Sequence, residues 1–169
     1  ADIINMSLGA VIPRNGWVEP DGTRITAGDL AALYTISIDV ANFVHDQGTT
    51  VVVAAGNDGI NADQNGAEWV IPAQFPHTIG VSSTGPQGFA DGSTDLDVPA
   101  FYTNHGNSLV DVAGPGGNID FDLYPVAPGW HLDMVLSTVP VGGEPAWGWM
   151  LGTSMAAPAV AGVAALIVE

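Results

Sequence analysis

Short apolar runs alternate along the chain with long polar stretches rich in glycine. Ile3-Ile4-Asn5-Met6-Ser7-Leu8 predicts a short strand, and residues 9–25, rich in Pro, Gly, Asn and Asp, read as a long loop. Thr26-Ala27-Gly28-Asp29 has the make-up of a helix start, with Thr26 as N-cap and an acid in the first turn. Leu30, Leu33, Tyr34, Ser37, Ala41 and Val44 then recur at the spacing of one helix face, and Gly48 is a natural stop. Residues 49–55 follow as a β-branched, almost wholly apolar run, the pattern of a strand covered on both faces.

Strand, helix and strand in that order predict a right-handed βαβ unit and a parallel sheet. Further short strands are expected at 78–82, 110–112 and 134–139. The Ala- and Val-rich segment 154–168 reads as a buried helix, with Pro158 near its first turn, where proline costs little. No repeat and no linker interrupts the pattern. Residues 1–169 are therefore expected to form one α/β domain, three layers deep, with a mostly parallel sheet flanked by helices.

Composition narrows the function. The hydrophobic fraction of 47% and charged fraction of 12% are those of a packed domain rather than a disordered one. Eighteen acidic residues face two arginines and no lysine, for a net charge of −16, which excludes a basic nucleic-acid-binding face. Such acidity suits solubility or salt tolerance first and carboxylate-built calcium sites second. The chain lacks the long apolar run, about eighteen residues or more, that a membrane span needs. With no cysteine there are no disulfides, no thiolate chemistry and no cysteine-held zinc.

Candidate chemistry sits at the last helix. Gly152-Thr153-Ser154 ahead of an alanine-rich segment puts a hydroxyl at a helix start, where small neighbours let a peptide approach and a backbone N–H faces a developing oxyanion. Alone, the tripeptide is an ordinary helix cap. Likewise Gly56-Asn57-Asp58-Gly59 alone is a good turn, and Ser7-Leu8-Gly9 and Ala54-Ala55-Gly56 alone are close-packed strand residues.

Together they resemble a known family. Gly152-Thr153-Ser154-Met155-Ala156-Ala157-Pro158 resembles the nucleophile motif of the subtilisin-like serine peptidases. In matching order, Ile4-Asn5-Met6-Ser7-Leu8-Gly9 resembles the family's substrate-binding strand. Val51-Val52-Val53-Ala54-Ala55-Gly56-Asn57 resembles the strand that ends in the oxyanion-hole asparagine. Ile71-Pro72-Ala73 and Asp111-Val112-Ala113-Gly114-Pro115-Gly116 resemble segments between those landmarks, so the likeness spans nearly the whole chain.

The resemblance implies roles. Ser154 is the expected nucleophile, and its N–H and the Asn57 side-chain amide the expected oxyanion donors, with Thr153 a helper. Ser7, Leu8 and Gly9 are expected to pair with substrate backbone as an added strand. Ala54, Ala55 and Gly56 are expected to line the primary specificity pocket, whose small walls favour a bulky apolar residue before the cut. The implied partners are protein or peptide substrates, with no nucleic acid and no membrane, and the implied location is extracellular.

The Asp and His of the family's triad, each in its own motif ahead of the serine, are not found in this sequence. His45, His77, His105 and His131 all read as structural or solvated, and none of the fourteen aspartates is a convincing triad member. The chain therefore reads as the C-terminal part of a catalytic domain, inactive by itself. An uncovered sheet edge is expected to bind a propeptide or drive self-association. The runner-up reading is a catalytically dead peptide-binding module, and a third is the acidic serine peptidases that use Glu and Asp. Ala159 stands where the family often has histidine, and the loops at 9–25, 117–130 and 142–148 are long for the family. No cofactor is expected for the chemistry and no metal ligand is assigned. A structural calcium near 73–78 and Asp111 follows from the resemblance alone.

Overall fold

Val52, Val53 and Ala55 are wholly buried, and this one short strand organises the molecule. In the computed structural model, which describes residues 1–169, it is β5 (Thr50–Ala54), the fifth of eleven strands. Its parallel neighbours are β1 (Ile3–Met6) on one side and β7 (Thr78–Gly85) on the other. β9 (Val112–Pro115) continues the parallel sheet beyond β7, and β8 (Val98–Pro99) adds a short antiparallel end. The opposite edge of the sheet is β1, whose one strand partner is β5.

Alternation along β5 sorts its side chains between two cores. Val51, Val53 and Ala55 join Val70, Ala73 and Leu109 on one face, with Val44 of helix α1 (Ala27–Asp46) against them. Val52 and Ala54 join Val81 on the other face, under Ala156, Ala157 and Ala161 of helix α2 (Thr153–Val168). Helix, sheet and helix make the three layers expected from the sequence. Thr26 caps α1 with a full capping box: its hydroxyl takes the Asp29 N–H while the Asp29 carboxylate takes the Thr26 N–H. Gly48 follows the helix at φ 78°, the left-handed stop that the sequence indicated.

Several expectations shift. Residues 9–25 are not one loop. They contain β2 (Ala10–Pro13), antiparallel to β6 (Glu68–Ile71), and the hairpin of β3 (Gly16–Val18) with β4 (Arg24–Thr26). The strand expected at 110–112 begins only at Val112: the Val110 N–H turns back to Gly106 O, and Asp111 meets Gly80 through its own N–H and through its carboxylate, which accepts the Gly80 N–H at 2.8 Å. The segment 142–148 is mostly strand: β10 (Val135–Val141) and β11 (Glu144–Met150) form an antiparallel hairpin about Gly142-Gly143. Trp147 and Trp149 stand on that hairpin, and Trp147 is 74% exposed. Pro158 lies past the first turn, as the sixth residue of α2.

One face of α1 is left open. Leu33, Ile36, Val40 and Phe43 are exposed at helical spacing, although all four are apolar.

Candidate active site

The C-terminal ends of β1 and β5 and the N-terminus of α2 converge on one cleft of about 320 Å³, lined in part by Leu8, Gly9, Ala54, Gly56, Asn57, Thr153 and Ser154. Parallel strands bring this about, since their ends and the following loops all open on the same side of the sheet.

Ser154 is the second residue of α2. The first four N–H groups of a helix lack intrahelical partners. Here the Thr153 N–H donates to Asn57 Oδ1 at 2.9 Å, and those of Met155 and Ala156 donate to Gly152 O. The Ser154 N–H has no partner within the chain, and Ser154 lines the cleft. Ser154 Oγ, half-buried, donates to Ser7 O at 3.3 Å.

Asn57 follows β5 on an exposed turn, with its side-chain oxygen held twice, by the Thr153 N–H and by Thr153 Oγ1, each at 2.9 Å. With Oδ1 occupied, Nδ2 is the group free to donate, and it lies beside Gly152. Thr153 is wholly buried, and its hydroxyl also accepts the Gly56 N–H at 3.1 Å. The residue expected to assist at the substrate thus fastens the asparagine turn to the serine helix.

Pro158 has a part in placing Ser7. Lacking an N–H, it leaves the Ser154 carbonyl, four residues back, without its helical donor. Ser7 Oγ donates to that carbonyl at 2.8 Å, and Asn5 Nδ2 in turn donates to Ser7 Oγ at 3.0 Å. The strand end and the serine helix are tied together through this vacancy. Beyond the tie, Leu8 and Gly9 make no backbone hydrogen bond within the chain, so their peptide groups are open to an added strand. Gly152 is set from behind: its N–H donates to Gly116 O at 2.9 Å, and the Tyr102 phenol lies against the same turn, 2.7 Å from Gly117 O and 3.1 Å from Gly116 O. Burial pushes the Tyr102 pKa up, keeping the phenol a donor.

The residues expected from the sequence gather here with one exception. Ser154, Asn57, Thr153, Leu8, Gly9, Ala54 and Gly56 all line the cleft, and Ser7 adjoins it through Ser154. Ala55 does not line it: strand alternation turns it into the core with Val51 and Val53. Four lining residues were not expected from the sequence: Asp58, the one acid, Ala10 and Val11 of β2, and Val70, brought in by β6. None of the four histidines lines the cleft. His45 and His77 stack on each other at 3.9 Å, His131 packs against Trp130 and Trp149, and His105 lies by Thr103.

The oxygens around 73–78 are few for a calcium ion. Thr78 Oγ1 already donates to Ala73 O and Phe75 O, and Asp111 supplies one carboxylate, itself accepting from Gly80. Calcium takes six to eight oxygens, so the residues present do not fit a closed site.

Comparison with known proteins agrees with this architecture, an α/β fold with a mostly parallel sheet between helices. The chain belongs to the subtilase family, whose model matches residues 1–169. It is 31% identical over 167 residues to an extracellular protease of Xanthomonas campestris pv. campestris, covering 99% of this chain and 21% of that protein. It is also 31% identical to subtilisin amylosacchariticus of Bacillus subtilis subsp. amylosacchariticus, over 99% of this chain and 31% of that one. Among solved structures, a protease from Pseudoalteromonas arctica matches with 34% identity and a TM-score of 0.63, covering 99% of this chain and 38% of the other. The epidermin leader peptide processing serine protease of Staphylococcus aureus matches with 25% identity and a TM-score of 0.73, over 99% and 40%. The chain thus spans well under half the length of each of these relatives.

Proposed function

We propose that this chain carries the nucleophile, the oxyanion hole and one wall of the substrate groove of a secreted subtilisin-like serine endopeptidase. The observation that carries the reading is the pairing at the α2 N-terminus: an unpartnered Ser154 N–H beside an Asn57 amide whose oxygen is pinned by Thr153. Ser154 Oγ attacks the scissile carbonyl, and the Ser154 N–H and Asn57 Nδ2 receive the oxyanion of the tetrahedral intermediate. Substrate backbone lies along the open peptide groups of Leu8 and Gly9, and the side chain before the cut enters the space between Ala54 and Gly56.

A serine needs a base oriented by a third group. With the four histidines outside the cleft, the base and its Asp come from residues other than those of this chain, in keeping with its share of its relatives' length. Alone, the chain is therefore inactive. The proposed chemistry needs no cofactor. The unpaired β1 edge and the open face of α1 give it a surface for association with itself or with a propeptide.

Peptide hydrolysis by the full-length protein that carries this chain tests the proposal. Ser154→Ala should abolish it. Hydrolysis that survives Ser154→Ala overturns the assignment, and a wild-type protein that binds peptide without cutting it favours a binding module instead.

A further inference from the structure

Asn104 lines no part of the cleft, yet it is 0% exposed and its side chain has every hydrogen-bonding position filled. Nδ2 donates to Ala55 O at 2.8 Å and to Asp58 Oδ2 at 3.2 Å. Oδ1 accepts from the Asp58 N–H at 2.9 Å and the Ile60 N–H at 3.0 Å. Its own backbone N–H donates to Gly56 O at 3.0 Å. All five bonds reach residues 55–60, on both sides of Asn57, and none reaches Asn57 itself.

The fit is close. Gly56, the residue before Asn57, sits at φ 97°, and a Cβ there would run into Asn104 Nδ2. Carboxamide and glycine therefore share one space, and the backbone conformation that launches Asn57 into the cleft is moulded on the Asn104 side chain. Thr153 holds the head of Asn57, and Asn104 holds its root. The neighbouring stretch reinforces the grip, with the Gly59 N–H on Tyr102 O and the His105 N–H on Ile60 O.

We infer that Asn104 is a positioning residue for the oxyanion hole, setting Asn57 Nδ2 for the developing oxyanion through the backbone on either side of it. This rests on the reading of the cleft as a peptidase site. An oxyanion donor works within 2.7–3.1 Å of an atom that becomes charged only in the transition state. A residue that acts by placing it should therefore affect kcat and leave KM nearly alone. A polar group that only fills the core would instead lower stability with no link to Asn57.

The test uses the full-length protein, with Ser154→Ala first establishing that hydrolysis depends on Ser154. Asn104→Asp keeps the shape, loses both donors and sets a like charge against Asp58. It should lower kcat by about ten- to hundredfold, the scale of a misplaced catalytic group, with KM within about threefold. Asn57→Ala, expected to cost about 10²–10³ in kcat alone, should cost less than about tenfold more in the Asn104→Asp background. If Asn104→Asp does not fold, Asn104→Ser, which shortens the side chain by one bond without adding a charge and so loosens the grip on 55–60, supplies the same two readouts. A folded variant with wild-type kcat overturns the inference, as do Asn57 and Asn104 losses that simply multiply. Either result leaves the Ser154 requirement standing, whereas hydrolysis independent of Ser154 removes the underlying reading instead.

Discussion

At the scale of single residues, the site is a set of backbone groups left unpaired and side chains that exploit them. Pro158 vacates the Ser154 carbonyl and Ser7 fills it. Ser7→Ala should then destabilise the protein by about 0.5–1.5 kcal/mol, the net worth of an ordinary hydrogen bond, measured by urea unfolding. In a Pro158→Ala background, where residue 158 regains an N–H for that carbonyl, the loss should shrink. A loss of equal size in both backgrounds contradicts the coupling. Asp63 gives a second residue-level prediction. Its carboxylate accepts the Ser108 and Asn107 N–H groups, and these bonds, the Ser108 backbone first, hold its pKa below the usual carboxylate value. A depressed carboxylate contributes stability above its unfolded value, about pH 4, and that contribution is lost as pH falls through the folded value. Asp63→Asn should therefore flatten the acid limb of a plot of stability against pH, while leaving its form above about pH 5 unchanged.

Residue identity was also where the sequence was most legible. Ser154 and Asn57 are marked by ordered motifs, and the structure brings both to one cleft. Ala55 was misplaced because a motif says nothing of the face a strand residue takes. Asn104 left no signal: within Thr103-Asn104-His105-Gly106 it looks like a turn former, and its partners at 55–60 are remote in sequence.

At the scale of elements, the helices and the strands of the parallel sheet were readable, and the small antiparallel pairings were not. Helix α1 declared itself through its face and through the Thr26 and Asp29 capping box. Thr26→Ala should cost about 1 kcal/mol in thermal or urea unfolding, and no loss would show the box to be energetically idle. β10 was expected at 134–139, but its partner β11 was hidden, because Pro145 and Gly148 lie within it and Pro140 stands opposite Pro145 in the register. All are residues that argue against a strand. β2, β3 and β4 are three or four residues long, too short for alternation to show, and β2 finds its partner β6 far along the chain. Such pairings come from tertiary context, which local pattern does not carry.

At the scale of the whole molecule, the central strand was legible as covered on both faces, and the two cores on either side of β5 follow from its alternation. What the sequence did not reveal is how unevenly the layers are closed. α2 lies over the sheet through buried alanines, whereas α1 buries Leu30 and leaves Leu33, Ile36, Val40 and Phe43 open beside the unpaired β1 edge. Contiguous open apolar surface of this kind drives association. Sedimentation of the isolated chain should show concentration-dependent assembly that Val40→Glu with Phe43→Glu reduces. A chain that stays monomeric throughout contradicts the proposed association surface.

The central claim is that Ser154 is the nucleophile of a subtilisin-like peptidase site. Reaction of the full-length protein with a serine-directed fluorophosphonate, followed by peptide mapping of the adduct, tests it most directly. One adduct is expected, on Ser154, and its loss in Ser154→Ala. An adduct on any other residue, or labelling that persists in Ser154→Ala, would contradict it.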